Sequence, residues 1–556
     1  MTVPRPLIWS IAGLDTAGGA GLSADQRAAD ALGVHLCPVV ASLTAQHSLG
    51  VQAMQATEPA WLEAQLRALA DDLPPRVIKT GLLGSAAAIR TVARWVDRLR
   101  AAHPERALAL VIDPVLGASA GGRPLSDDAV LAAYRQELLP RATLITPNRA
   151  EARRLLGQDA SHDGPDQEIP ELAAALRQLG AHSVVITGGD AGNRVASTHC
   201  LDWIDTPQAQ GWLCGPRVPT RHHHGSGCTF ATGAAAALAL GHGPADALVL
   251  AHMLTHHALQ QGYAAGRGAG PVQAQAGFLA GVRQGGAPLP CLGLGRDLPW
   301  QLTHGQPEGN AAAPWAPLFR PFSPPANGLY GIVDSGERIE QVLAAGLRCV
   351  QLRHKIRVSA PDSLEQHLKR SLEAAAQTGA HLFINDHWRE ALEIRAPAQA
   401  HPAYALGLHL GQEDLLALSL HDRATLLAAR ERIMLGLSSH SLWELARAAG
   451  CGASAIACGP VQATTTKDMP WRPQGEDNLR WWITHSPAPV LAIGGLLNPE
   501  DLSRFAAHQP AALCVVRALD APPDALPRTV QHLSEAVHAG RLSLVAPRIG
   551  LPHPVL

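Results

Sequence analysis

The run HHHGSGCTFATGAAAALA, beginning at His222, sets Gly225, Ser226 and Gly227 immediately ahead of an Ala-rich helical stretch. Glycines let successive backbone N–H groups turn toward one point, and a helix N-terminus adds partial positive charge there. That combination is an anion hole of the kind a transferring phosphoryl group needs. Cys228 follows at the helix start, where a thiol pKa is expected to fall and a thiolate could take the proton of a hydroxyl. The same residues would also serve as a glycine cap beside a buried Cys. A second Gly-rich run, IAGLDTAGGAGLSADQ from Ile11, leads into a helix bearing Asp25, with no G-x-x-x-x-G-K-[ST] phosphate loop. His222, His223 and His224 are metal-ligand types, but neighbours in a loop rarely converge on one ion.

Further along, Gln351, Arg353 and Lys355 alternate in QLRHK and, at a strand's period of two, share one face. Three polar groups turned into a core need a partner, and a diphosphate is a natural one. FIND ends in Asn385 and Asp386, and HLGQED ends in Asp414. Two carboxylates at neighbouring strand ends suit Mg2+, which takes few protein carboxylates and completes its shell with phosphate and water. Helix N-capping is the other use of Asp in such loops. Ser438 in GLSSHS, Thr464, Thr466 and Lys467 in TTTK, and Gly494–Gly495 in AIGG supply hydroxyls, a cation and backbone N–H groups for a second phosphate.

These residues must be positioned by elements. Before about residue 284, the runs LIWSIAG, LCPVVAS, VIKTGLL, LALVIDPV, TLITPN and SVVITGG alternate with segments of helical spacing. That predicts an α/β unit with a parallel sheet, whose ligands bind beyond the carboxyl ends of the strands. Residues 284–326 are rich in Pro and Gly and read as a linker, although Trp300, Trp315 and Phe322 suggest that part of it packs onto a domain. From residue 327 onward eight strand candidates recur: GLYGIVD, CVQLRHK, HLFIND, YALGLHLG, IMLGLSS, AIACGPV, PVLAIGG and ALCVVRA. Eight βα units predict a TIM barrel with its chemistry at the C-terminal strand ends. The expected domains are therefore 1–283 and 327–556, joined by 284–326.

The length of 556 residues exceeds one ordinary core, and 47% hydrophobic with 17% charged residues excludes a disordered chain. A net charge of −2 gives no broad field for nucleic acid or an anionic membrane. Nine scattered Cys without a C-x-x-C pair read as reduced thiols, and the opening residues carry no signal-peptide pattern, so a cytoplasmic protein is expected. No apolar stretch is long enough to span a bilayer.

In order, GLDTAGGAGLSAD, LTAQHSLGV, KTGLLG, IDPV, LITPNRAEA, ITGGD and HGSGCTFA resemble the hydroxymethylpyrimidine/phosphomethylpyrimidine kinase family, which has a ribokinase-like fold. The resemblance runs from about Leu7 to Val272. It implies that Asp25 and Gln46 hydrogen-bond an aminopyrimidine, that Gly225–Gly227 hold the transferred phosphate, and that Cys228 is the base. It implies that Asn148 and Glu151 help place Mg2+ with ATP, with Asp113 and Lys79 as further polar candidates. Asn followed three residues on by Glu also has the form of a capping box. The family's A-K-S-G-D after D-P-V-M is replaced by LGASAGG, Leu116–Gly122, without its Lys and Asp.

The second half, from about Leu329 to Leu519, is similar to thiamine-phosphate synthase. Q-L-R-x-K, N-D, G-Q-E-D, G-x-S-x-H, T-x-T-K and I-G-G stand in order. The resemblance implies an aminopyrimidine diphosphate and a thiazole phosphate as substrates. Gln351, Asn385 and Ser438 would contact the pyrimidine and diphosphate, with Arg353, Lys355, Asp386 and Asp414 around the pyrophosphate and Mg2+. Lys467 would meet the pyrophosphate, and Thr464, Thr466 and Gly495 the thiazole phosphate. Ala463 replaces the family's Pro, and Arg517 stands where a small residue is common. Together the halves imply a kinase whose product the barrel consumes, in a possible homo-oligomer. A pyridoxal-type kinase domain on the same fold, or a ligand-sensing protein with one inactive domain, are the alternatives.

Overall fold

The computed structural model describes residues 4–117, 126–159, 168–189, 198–305, 315–355, 364–394, 400–463, 471–543 and 550–555. The chain divides into two compact units, Met1–Leu298 and Pro299–Leu556.

The first unit is built on a sheet of ten strands: β1 Leu7–Asp15, β2 His35–His47, β3 Gly50–Ala56, β4 Val77–Thr80, β5 Ala109–Ile112, β6 Leu144–Ile145, β7 Val184–Ile186, β8 His199–Asp205, β9 Gln210–Pro216 and β10 Cys291–Leu292. Their order is β10-β9-β8-β7-β6-β5-β4-β1-β2-β3. The six apolar runs read from the sequence are β1, β2 and β4–β7, and these pair in parallel. Strand β1 is buried over most of its length because neighbours flank both edges and helices cover the sheet. β3 and β8–β10 are antiparallel additions that the apolar runs did not announce. The chain leaves β1 for β2 on one side and returns to β4 on the other, so the strand order switches at β1. A ligand crevice forms beyond the carboxyl ends at such a switch, and Asp15, Gln46 and Asp113 lie at those ends. Helix Ser226–Ala239 packs on β1, β4, β5 and helix Pro244–Gln260. Its small residues permit this: a Cβ on Gly233 would stand 3.1 Å from Leu254 Cδ2.

The second unit is a closed parallel barrel of eight strands. They are β11 Leu329–Val333, β12 Cys349–Leu352, β13 His381–Asn385, β14 Ala405–Leu410, β15 Met434–Ser439, β16 Ala455–Cys458, β17 Val490–Ala492 and β18 Ala512–Val515. All eight are segments read from the sequence. Tyr330, Cys349, Phe383, Met434, Leu491 and Cys514 fill the interior with Phe322, whose ring meets Phe383 edge-on at 6.0 Å. Trp300 packs on Phe319 at 6.3 Å, so the Pro/Gly-rich segment contributes aromatic side chains to this unit, while β10 pairs with β9 in the first.

Residues 550–555 lie along the β16 loop. The Asn478 side chain accepts from His553 N–H at 2.8 Å and donates to His553 C=O at 3.1 Å, and Arg472 N–H donates to Val555 C=O at 2.8 Å. Asn478 and Gln474 have no exposed surface. Asn478→Ala should therefore remove both hydrogen bonds from this buried amide to the His553 backbone and lower stability by about 1–3 kcal/mol in urea unfolding followed by tryptophan fluorescence. A midpoint equal to that of the unaltered chain would mean that Pro552 and Val555 anchor the segment by apolar contact alone.

Candidate functional site

In the first unit the helix Ser226–Ala239 begins at Gly225, whose φ of 86° and close approach to Gly19 suit only glycine: a Cβ there would stand 2.2 Å from Gly19 O. The expected anion hole falls at this helix N-terminus, where Ser226 N–H donates to His223 C=O at 3.2 Å. Cys228 sits at this end, but its thiol is not activated as expected. Burial pushes it far up, Lys79 opposes that rise, and Asp113 and Asp25 add to it. The helix terminus does not overcome desolvation beside two carboxylates.

Beneath Cys228 lies a buried charge cluster. Lys79 Nζ donates to Asp25 Oδ1 at 2.9 Å and Oδ2 at 3.0 Å, and stands 3.6 Å from Asp113 Oδ2. Burial by itself would lower the ammonium pKa; Asp25, Cys228 and Asp113 overcome it and the pKa lies above its ordinary value. Ser10 Oγ donates to Asp25 Oδ2 at 2.6 Å and Thr232 Oγ1 to Asp25 Oδ1 at 2.8 Å. Asp25 and Lys79 have no exposed surface and Asp113 is 5% exposed. This corrects two expectations. Asp25 has no face open to a pyrimidine, and Lys79 none to a cofactor; both are interior counter-ions, because the helix carrying Asp25 turns it toward β4. Asn148 and Glu151 form the capping box, with reciprocal hydrogen bonds of 2.9 Å.

Gln46, at the end of β2, is half-buried and reaches His224, with 3.2 Å between the amide nitrogen and ring Nε2. The sequence reading weighed His224 only as one of three metal-ligand types and missed it as the partner of Gln46. The three histidines diverge: His222 Nδ1 accepts from Gly270 N–H, His223 is exposed, and His224 is buried.

In the barrel, Gln351 is 4% exposed; it accepts from Tyr330 OH at 2.8 Å and donates to Asn385 Oδ1 at 3.1 Å. The expectation that Gln351, Arg353 and Lys355 share a strand face is corrected. β12 ends at Leu352, so Arg353 is half-buried beyond it and Lys355 is exposed. Ser438 Oγ lies 3.0 Å from His409 Nε2, and Ser438 C=O accepts from Gln412 at 2.7 Å. His409 was also missed, although alternation along YALGLHLG sets it on one face with Gly407. Burial, helped by Arg353, lowers its pKa to about 4, so the ring is neutral.

Asp386 takes a φ of 67°, uncommon for a residue with a side chain. Burial and then the charge of Asp414 raise its carboxyl, against Arg353 and His387. Asp386 and Asp414 line a cleft of about 120 Å³ with Trp388 and Arg389. One Asp414 oxygen also accepts Gly411 N–H at 3.0 Å, so the capping role is present as well. Gly495, with φ 74°, lies against the β16 loop, where a Cβ would stand 2.5 Å from Gln462 Cβ. Thr464, Thr466 and Lys467 lie outside the described residues, as does most of LGASAGG. Among the described residues no group of three or more His, Cys, Asp or Glu is arranged to hold a metal, and no helix is long and apolar enough to cross a membrane.

A parallel sheet with a glycine-led helix N-terminus near its switch point and a closed parallel barrel with polar groups at its strand ends define a two-part α/β protein with the architecture of an enzyme. A family model described as phosphomethylpyrimidine kinase matches residues 15–273, and one described as thiamine monophosphate synthase matches residues 329–519. The probable thiamine biosynthetic bifunctional enzyme of rice, a chloroplastic protein, is 30% identical over 505 residues, covering 89% of this chain and 82% of that one. A hydroxymethylpyrimidine/phosphomethylpyrimidine kinase of Synechococcus elongatus is 38% identical over 270 residues, 48% of this chain and 96% of its own. Among solved structures, Staphylococcus aureus pyridoxal kinase in complex with ADP is 26% identical, with a TM-score of 0.43 over 49% of this chain and 95% of that one. The chain belongs to the family of thiamine biosynthetic bifunctional enzymes. Its first unit carries the phosphomethylpyrimidine kinase domain and its second the thiamine-phosphate synthase domain, a closed eight-stranded barrel.

Lys79→Met should destabilise the first unit by about 3–5 kcal/mol, because Asp25 is left as an unpaired buried charge. Lys79→Met combined with Asp25→Leu should recover part of that loss. Urea unfolding of the single and double variants measures both, and a single variant as stable as the unaltered chain would show that the pair contributes nothing.

Proposed function

We propose that the first unit phosphorylates hydroxymethylpyrimidine and then its monophosphate with ATP, and that the barrel joins the resulting diphosphate to thiazole phosphate, releasing pyrophosphate. The observation that carries this reading is the pairing of two complementary sites in one chain. The helix N-terminus at Gly225–Gly227 receives a transferring phosphoryl group, and the carboxylate pair Asp386/Asp414 with Arg353 meets a departing pyrophosphate.

In the kinase step the substrate hydroxyl attacks the γ-phosphorus of ATP as its bond to the bridging oxygen breaks and ADP departs, while N–H groups of the helix N-terminus at Gly225–Gly227 hold the transferred oxygens. Phosphoryl transfer through a loose transition state asks more of positioning than of a base. A thiol with a raised pKa is a strong base once ionised, and Cys228 takes the hydroxyl proton through its minor thiolate form, with Lys79 and Asp113 beside it. Gln46 contacts the pyrimidine, while Asn148 and Glu151 orient the nucleotide with Mg2+.

In the barrel Asp386 and Asp414 fit Mg2+: burial and the Asp414 charge raise the Asp386 carboxyl, and a divalent cation relieves that cost. When bound, the ion supplies positive charge against the pyrophosphate. Arg353 and Lys355 add theirs, while Gln351, Asn385 and Ser438 seat the pyrimidine. The carbon–oxygen bond to pyrophosphate breaks as the electron-rich aminopyrimidine stabilises its methylene cation, which the thiazole nitrogen then attacks. Lys467 neutralises the leaving group, and Thr464, Thr466 and Gly495 hold the thiazole phosphate.

A one-pot assay with hydroxymethylpyrimidine, ATP, Mg2+ and thiazole phosphate should yield thiamine phosphate, read by mass spectrometry. Cys228→Ala should cut the yield by about 10²-fold or more and be rescued by added pyrimidine diphosphate. Asp414→Ala should not be rescued. No product from the unaltered chain, with rescue by the diphosphate, would remove the kinase assignment and leave the barrel's.

A further inference from the structure

Three loops of the first unit meet on one imidazole. His224 Nε2 lies 3.0 Å from Asp15 Oδ2 and 3.2 Å from the Gln46 amide. Asp15 ends β1 and organises the first Gly-rich loop: Ala17 N–H donates to Oδ1 at 2.8 Å, and Gly19 and Ala20 N–H donate to Oδ2 at 3.0 and 2.8 Å. That loop closes on the ring, since a Cβ on Gly19 would stand 2.3 Å from His224 Cδ2. The backbone on either side is held as well, His224 N–H donating to Gly270 C=O and its C=O accepting from Val272 N–H. His224 is 8% exposed and immediately precedes Gly225 of the anion hole. A ring so enclosed cannot swing away from Asp15 or Gln46.

The protonation pattern follows from donor counting. Burial pushes the Asp15 carboxyl up, but the His224 hydrogen bond and the Ala20 and Ala17 N–H groups outweigh it and hold it below its ordinary value. Asp15 is then an acceptor only, so Nε2 carries a hydrogen directed at it. The same ring nitrogen cannot also accept from an amide. A half-turn of the Gln46 amide exchanges oxygen for nitrogen without moving the side chain, and the hydrogen-bond network decides between the two. With a donor at Nε2, the Gln46 carbonyl faces the ring and its NH2 faces outward.

We propose that His224 is a positioning residue of the kinase site: anchored by Asp15, it fixes the Gln46 amide with its NH2 toward the ligand, selecting substrates that present a ring-nitrogen acceptor there. It also ties that seat to the anion hole one residue later. The inference rests on the kinase reading above. Catalysis itself stays with the groups that touch substrate; His224 acts through Gln46.

The test is steady-state kinase kinetics on the full chain, with hydroxymethylpyrimidine and pyridoxal as alternative acceptors. His224→Phe keeps a ring but removes the donor. It should raise KM for hydroxymethylpyrimidine at least about ten-fold, with KM for ATP changed less than about two-fold. The ratio of kcat/KM for hydroxymethylpyrimidine over pyridoxal should fall with it. His224→Gln, which can still donate to Asp15, should recover much of the loss. Gln46→Glu offers His224 the same acceptor but no N–H to the ligand, and should raise the same KM; it carries the test if His224→Phe does not fold. Unchanged KM in His224→Phe or in Gln46→Glu, or a parallel fall for both acceptors, overturns the proposal. An unaltered chain that phosphorylates neither acceptor removes the kinase reading itself, and this inference with it.

Discussion

A lysine with no exposed surface stands at the centre of the first unit, and its charge must be answered from within the protein. Taking an ammonium out of water costs several kcal/mol, recovered only when opposite charge and hydrogen bonds are held in good geometry. Asp25 supplies both oxygens, and Ser10 and Thr232 fill its remaining acceptor positions. One cluster therefore ties β1, β4, the helix Gly21–Ala31 and the helix Ser226–Ala239. Thr232 lies four residues beyond Cys228, on the same helical face. The ion pair thus also sets the position of the helix that begins at Gly225. A requirement of the core, neutralising Lys79, fixes where that glycine-led N-terminus stands.

The barrel handles its interior polar groups differently. At its centre neutral groups are matched to one another, Tyr330 to Gln351 to Asn385 and His409 to Ser438. A neutral network at the centre keeps the strand ends rigid without a buried charge. The charge is placed at the mouth, where Asp386, Asp414 and Arg353 stand in one another's field. The two units accordingly arrange their polar groups by different physics: the first turns a glycine-led helix N-terminus over a buried ion pair, and the second keeps side-chain charge at the barrel mouth.

Glycine marks the places where these sites needed room rather than chemistry. Gly21 adopts φ 54°, and a Cβ on it would stand 2.1 Å from Gly13 O. Gly19 and Gly225 allow the two Gly-rich loops to close on each other around His224. In the barrel, a Cβ on Gly436 would come within 2.8 Å of His409 Nδ1.

Much of the architecture was written in local pattern. Six apolar runs in the first half and eight in the second are strands because a parallel strand covered on both faces must be apolar along its length, which is visible without neighbours. β3 escaped because a half-covered strand carries no such run, β8 and β9 because Asp202, Asp205 and glycines interrupt theirs although both are largely buried, and β10 because it has two residues. The candidate residues were legible as types at strand ends, but not their surroundings. Whether Asp25 faced a ligand or Lys79, whether Cys228 was activated or raised, and whether Lys355 lay on a strand or beyond it were settled by neighbours distant in sequence. His224 and His409 were missed for the same reason, each being defined by partners on other elements. Periodicity is a property of the chain and determined the fold class, whereas desolvation and hydrogen-bond partnership arise only once distant segments are packed, so the tertiary structure alone decided what each site residue does.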